Sequence, residues 1–220
     1  MSQLTDEMKT DRDEREEASL KHFNDWSRTY EGSIAQRFFF DRIHKAVLAQ
    51  AKKVAEPGIL LDVGCGTGRL LRAAATLWPS ASLIGVDAAD GMVEVARALT
   101  PEATVHLGTA ETLPLPDASV DLAVSTVSFH HWGDQSAGIR EIARVLRPGG
   151  HFFLADSAPP TWMMKWTNRS GHSLFQSKAR VRILFEGAGL HVIVQKWILL
   201  PFMTLTGAVR NEKTENGEGN

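Results

Sequence analysis

Leu60-Leu61-Asp62-Val63-Gly64-Cys65-Gly66-Thr67-Gly68 decides the fold. An apolar run passes into three glycines at alternate positions and then into the helix-forming Arg69-Leu70-Leu71-Arg72-Ala73-Ala74-Ala75. Glycine has no Cβ, so the chain can turn sharply and a ligand can lie against amides at the helix N-terminus. A nucleotide-like ligand is implied. The dinucleotide fingerprint needs its third glycine at the sixth position from Gly64, where Arg69 stands, and Gly68 falls one residue early. A nicotinamide-dependent oxidoreductase is therefore the runner-up reading. The Walker pattern fails because no Gly-Lys-Ser/Thr follows the turn. A glycine turn that merely joins strand and helix is the plain alternative, and a second signal argues against it.

That signal is Leu83-Ile84-Gly85-Val86-Asp87, an apolar strand ending in a carboxylate nineteen positions after Gly68. A carboxylate there can accept hydrogen bonds from both hydroxyls of a ribose lying across the sheet edge. Asp87 as a simple cap for the following helix is the competing explanation.

Outward from this pair, the chain reads as strands alternating with helices. Strands are expected at 59–63, 82–87, 104–107, 122–125, 151–155, 191–197 and 202–209, with helices near 68–76, 92–98, 135–145 and 177–186. Such alternation implies parallel pairing through right-handed crossovers. The expected architecture is α/β: a Rossmann-like three-layer sandwich on a mostly parallel seven-stranded sheet, with an antiparallel last strand. Upstream, Leu20, Phe23, Trp26, Ile34, Phe38, Ile43, Val47 and Leu48 recur mostly at three- and four-residue steps, which predicts two helices split near Gly32. The first seventeen residues carry seven acids and three bases and few apolar side chains, so they are expected to fray, as is the polar stretch 211–220. The resulting organisation is a frayed terminus at 1–17, a helical lid at 18–56, a ligand-binding domain at 57–210 and a tail at 211–220.

Composition narrows the function classes. The 24 basic and 26 acidic side chains nearly balance, so no general basic field advertises nucleic acid. Cys65 is the only cysteine, which excludes an intrachain disulfide and a cysteine-based zinc cluster and suits a cytoplasmic setting. No metal site is expected. The apolar run from Trp197 to Leu205 is broken by Pro201 and falls far short of the ~20 residues that span a bilayer.

Five motifs stand in order: Asp62 to Gly68, Gly85-Val86-Asp87, Ala110-Glu111-Thr112-Leu113-Pro114, Phe129-His130-His131-Trp132 and Leu146-Arg147-Pro148-Gly149-Gly150. In this order they resemble class I S-adenosylmethionine-dependent methyltransferases, most closely the small-molecule branch that includes the ubiquinone and menaquinone biosynthesis enzymes. His22-Phe23-Asn24-Asp25-Trp26 through Thr29-Tyr30-Glu31 is similar to the amino-terminal signature of that branch, with Glu31 in place of its usual Asp. The resemblance implies S-adenosyl-L-methionine as cofactor. It assigns Asp62, Gly64, Cys65, Gly66 and Thr67 to the methionine moiety, Asp87 to the ribose, and Ala88 and Met92 to the faces of the adenine. Ala110 would offer its amide to the adenine edge beside Glu111, and Thr109 stands where the family commonly has an acid or amide. Thr126 and Tyr30 complete the implied cofactor set.

Transfer from a sulfonium asks little of side chains beyond in-line positioning, although a base helps if the acceptor must lose a proton. His130 and His131 are the candidates; in extended structure they would point opposite ways, so at most one faces the acceptor, and the plainer reading is that both are positional or packing residues. Pro159 to Trp166, with two Trp and two Met, reads either as the lining of an apolar acceptor chamber or as a short packed helix. The expected activity is methylation of a small, partly apolar molecule. A catalytically silent adenosyl-ligand-binding protein is the alternative outside enzyme chemistry.

Overall fold

A computed structural model describes residues 34–159, 174–199 and 202–211. Its elements in chain order are α1 (Ile34–Ala51), β1 (Ile59–Val63), α2 (Arg69–Leu77), β2 (Ser82–Asp87), α3 (Asp90–Leu99), β3 (Ala103–Leu107), β4 (Val120–Thr126), a short 3-10 turn (Phe129–His131), α4 (Gln135–Val145), β5 (Leu146–Ser157), α5 (Lys178–Gly187), β6 (Leu190–Leu199) and β7 (Met203–Arg210).

Seven strands form one sheet in the order β3-β2-β1-β4-β5-β7-β6. β1 to β5 pair in parallel, while β7 runs antiparallel to both β5 and β6. The mostly parallel sheet with an antiparallel last strand is thus present. The chain starts at β1, steps outward to β3 and returns to β4 on β1's other side. Beyond the carboxyl ends of β1 and β4 this reversal opens a crevice, the place where open α/β sheets bind ligands.

Alternation along the central strands feeds two cores. Leu61, Ala123 and Phe152 face Ile139, Ile142 and Phe185 on the α4 and α5 side. Their neighbours Leu60, Leu122 and Phe153 face Ile43, Val47, Leu71 and Val93 on the side of α1, α2 and α3. Successive strand residues point to opposite faces, so a strand covered on both sides reads as continuously apolar. Ile43, Val47 and Ala51 are fully enclosed, which makes the second half of α1 part of the core. The first of the two expected upstream helices lies outside the described residues, as does most of the Pro159 to Trp166 stretch.

Local chemistry sets the helix ends. Asp134 caps α4, accepting from Ala137 N at 2.9 Å, and Ser177 caps α5, accepting from Arg180 N at 3.2 Å. β5 opens with the Arg147-Pro148-Gly149-Gly150 turn, where Gly149 takes φ 77°. Pairing with β4 shifts there, from Val120 with Leu146 to Leu122 with His151.

Candidate active site

The site grows from the β1–α2 loop. Gly64, Gly66 and Gly68 all take positive φ (73°, 53° and 76°), a region that costs other residues steric strain. Gly64 N and Cys65 N donate to Val86 O at 2.8 and 3.1 Å, which ties the loop to the end of β2. Asp87 completes the tie. One carboxylate oxygen accepts from Gly66 N at 2.8 Å and the other from Ala89 N at 2.9 Å. Asp87 thus holds the loop rather than capping α3, whose N-cap is Ala89 with no side-chain capping bond, and burial raises its pKa.

Two spaces flank this loop. A slot of about 80 Å³ lies among Val63, Ala88, Gly108, Thr109, Ala110 and Trp132, with Glu111 at its edge. A larger cavity of about 290 Å³ is bordered by Asp62, Gly66, Thr67, Met92 and Thr126 on one side and by Phe40, His44, Arg69 and Val127 on the other. Among the described residues, Gly64, Asp87, Ser128 and His131 border both.

Electrostatics in the larger cavity are dominated by buried groups. Asp62 is 1% exposed, and its Oδ1 has no hydrogen-bond partner. Burial, reinforced by the nearby charge of Asp87, pushes its pKa up to about 8. Burial likewise lowers His44 to about 4, so this imidazole is neutral at physiological pH. The Cys65 thiol is pushed up by burial and packs toward Gly85 and Leu71, which makes it wall rather than nucleophile. Val127, a β-branched residue, holds φ 53° at the end of β4, a strained conformation of the sort that clusters at functional sites.

Residues 61–154 match the family described as a methyltransferase domain (Methyltransf_11). This chain carries a methyltransferase domain. It is 43% identical over 95 residues to an uncharacterized methyltransferase of Mycobacterium bovis, covering 43% of this chain and 38% of that one. With a malonyl-[acyl-carrier protein] O-methyltransferase of Dechloromonas aromatica it shares 36% identity over 152 residues, 66% of this chain and 56% of that one. The chain thus spans less than three fifths of the length of these curated relatives. A solved structure of a putative methyltransferase from Haloferax volcanii, in complex with the Trm112 methyltransferase activator, superposes with a TM-score of 0.70 at 26% identity, over 86% of this chain and 98% of that one. The fold is that of the class I, S-adenosylmethionine-dependent methyltransferases.

The methyltransferase domain brings most of the anticipated residues together. Asp62, Gly64, Cys65, Gly66, Thr67, Asp87, Met92 and Thr126 border the larger cavity, and Ala88, Thr109, Ala110 and Glu111 border the slot. Ala88 and Met92 do not share one space, contrary to their expected joint packing on the adenine. α3 begins at Asp90, so Ala88 lies in the extended bend beside the slot while Met92, within the helix's first turn, reaches the cavity. Glu111 is held by Asp134, whose N–H donates to its Oε1 at 3.0 Å. Tyr30 lies outside the described residues.

The histidine pair needs correcting. His130 and His131 sit in a 3-10 turn rather than extended backbone, so their ring centroids are 4.0 Å apart instead of on opposite sides. His131 borders both spaces; His130 borders neither. Asp156, near the end of β5, accepts from His130 N at 2.9 Å and pairs with His130 Nδ1 at 2.7 Å, and Phe175 stacks on the ring at 4.7 Å. A catalytic role for His130 is therefore replaced by an anchoring one. Asp156→Ala leaves two buried His130 donors and Ser157 N without their acceptor and is expected to destabilise the fold by about 2–4 kcal/mol, read by thermal melts. His130→Ala should be milder, because the ring's own donor disappears with it.

Sequence reasoning missed Phe40, His44, Arg69, Val127, Ser128 and Asp156. For two of them a signal existed: Phe40 and His44 are four apart and share a helix face. Arg69 was conspicuous only as the residue that spoils the dinucleotide pattern.

Proposed function

We propose that this chain transfers a methyl group from S-adenosyl-L-methionine to a small, partly apolar molecule. The observation that carries the reading is the enclosed Asp62 carboxylate, with an unpartnered oxygen at the same cavity as the glycine loop. A buried anionic group is costly unless a cation meets it, and the α-ammonium of an amino-acid-bearing ligand is such a partner. Gly66, with nothing within 4 Å of the position a Cβ would take, leaves room for ligand against the loop. These residues fit the cofactor. When bound, it supplies an electrophilic methyl on a sulfonium that is itself the leaving group.

The chain's own residues would then bind, orient and shield. Asp62 would hold the ammonium, Asp87 the ribose hydroxyls, and Val63, Ala88 and Trp132 the adenine faces, with the Ala110 amide at its edge. His131 is the imidazole placed between slot and cavity, within reach to hold or accept a proton from an acceptor hydroxyl or amine. Apolar Phe40, Met92 and Val127 help exclude water from the reacting centre. No helix among the described residues is long and apolar enough to cross a membrane, and none of their side chains form a His, Cys, Asp or Glu cluster that would hold a metal.

A transfer assay tests the reading. The full chain, incubated with methyl-tritiated cofactor and fractionated small-molecule extract, is expected to move label into an organic-extractable product. His131→Ala should slow that transfer at least tenfold with little change in cofactor affinity. Label confined to protein or nucleic acid would overturn the small-molecule assignment.

A further inference from the structure

A third space lies outside the cofactor-facing set. It is a groove of about 380 Å³ between α1 and α2, floored by Leu48, Ala49, Ala73 and Leu77. Two residues, His44 and Arg69, border both this groove and the larger cavity. The groove and the cavity therefore meet at that pair. We propose that the groove receives the apolar body of the methyl acceptor and that His44, at its inner end, donates a hydrogen bond to a carbonyl or carboxylate oxygen of that molecule. The inference rests on the methyltransferase reading and adds an acceptor subsite to it.

Three observations support this. First, the His44 ring is 7% exposed, and its Nδ1 is enclosed without a hydrogen-bond partner. An enclosed N–H with no acceptor is the costlier arrangement, so the neutral ring carries its proton on Nε2 and is a donor. Second, two of the charged side chains along the groove, Lys45 and Arg69, offer a ligand only donors, beside the acceptors Asp41 and Thr76. The Asp41 carboxylate is engaged by Arg69 Nη1 at 3.3 Å, and Thr76 Oγ1 donates to Arg72 O at 3.4 Å. Oxygen acceptors on an occupant would complement the Lys45, Arg69 and His44 donors. Third, the floor is aliphatic, which suits an apolar body and gives little purchase to a sugar or nucleotide. Phe40, one turn before His44 on α1 and 6.1 Å from it by ring centroid, continues the apolar wall into the cavity.

The test uses the full chain saturated with S-adenosylhomocysteine and titrated with 1-naphthoate, an apolar bicycle bearing one carboxylate. Histidine-labelled NMR spectra should show the His44 ring resonances shifting as 1-naphthoate binds. Ala49 and Ala73 are exposed, so Ala49→Trp and Ala73→Trp fill the groove without disturbing the core. Each is expected to weaken 1-naphthoate at least tenfold while S-adenosylhomocysteine affinity stays within twofold. His44→Phe should weaken it similarly, and His44→Gln, which restores a donor, should recover most of the loss. Unmoved His44 resonances at millimolar 1-naphthoate, or unchanged affinity in Ala73→Trp, would overturn the proposal. Equal loss in His44→Phe and His44→Gln would remove the donor role. Failure of S-adenosylhomocysteine itself to bind would instead sink the cofactor reading, and the subsite with it.

Discussion

Gly64→Ala should lower the melting temperature by about 5–15 °C, while Gly66→Ala, two residues away on the same loop, should lower it by only a few degrees. Both glycines take positive φ, so both substitutions carry a backbone cost of roughly 1–2 kcal/mol. The difference lies in what a methyl would meet. At Gly64 it would come within 1.9 Å of Ser128 Oγ and 2.4 Å of Ser128 Cβ, displacing the loop after β4, and such overpacking adds about 1–3 kcal/mol. At Gly66 it would meet no atom within 4 Å. Gly66→Val should accordingly leave a folded chain that has lost nearly all affinity for S-adenosylhomocysteine, because the branched side chain occupies the ligand's path. Differential scanning fluorimetry and calorimetry separate the two effects. Equal loss of melting temperature in the two alanine variants would mark Gly66 as a folding glycine.

Asp62 yields the largest expected pH effect. Its folded pKa of about 8 lies above the 3.8 of an unperturbed carboxyl. Between those values the unfolded chain has released a proton that the folded chain retains, so stability falls as pH rises from about 4 to about 8. Binding a cationic ammonium reverses the preference and drives the proton off. Affinity for S-adenosylhomocysteine should therefore climb as pH rises toward about 8, by up to about tenfold per pH unit, and level off above it. Asp62→Asn should flatten both trends and weaken binding by about 1.5–3 kcal/mol, the scale for hydrogen bonds to a charged group. Asp87, shifted in the same direction by burial, leaves a residual slope in the variant. Calorimetry at several pH values reads the affinity, and a wild-type affinity indifferent to pH would remove the ammonium-holding role.

The sheet was legible because its strands are short apolar runs bounded by turn residues, and because the glycine loop and Asp87 mark the ends of β1 and β2. Strand ends moved by a residue or a few, most at β5, where pairing begins at Leu146 through the Arg147 to Gly150 turn. Residues on the loops after β1, β2 and β4 were legible for the same reason: local motif order places them at one sheet edge. What the sequence concealed was long-range. His130 is separated from Asp156 by 26 positions, and nothing local announces that pairing. The helical turn that brings the two imidazoles side by side is likewise invisible to a strand-based reading of neighbours. His44 is one of several polar residues on α1; its spacing from Phe40 puts both on one helix face, but only the packing of α1 beside β4 and β5 shows that this face reaches the cavity.

S-adenosylmethionine, rather than a dinucleotide, is the ligand expected in the crevice at the β1 and β4 ends. The most direct measurement is calorimetric titration of the wild-type chain and Asp87→Ala with S-adenosylhomocysteine and, separately, with NADH. One-to-one binding of S-adenosylhomocysteine is expected, weakened by about 1–3 kcal/mol in Asp87→Ala, with no heat from NADH. Binding of NADH with none of S-adenosylhomocysteine, or unchanged affinity in a folded Asp87→Ala, would contradict that assignment.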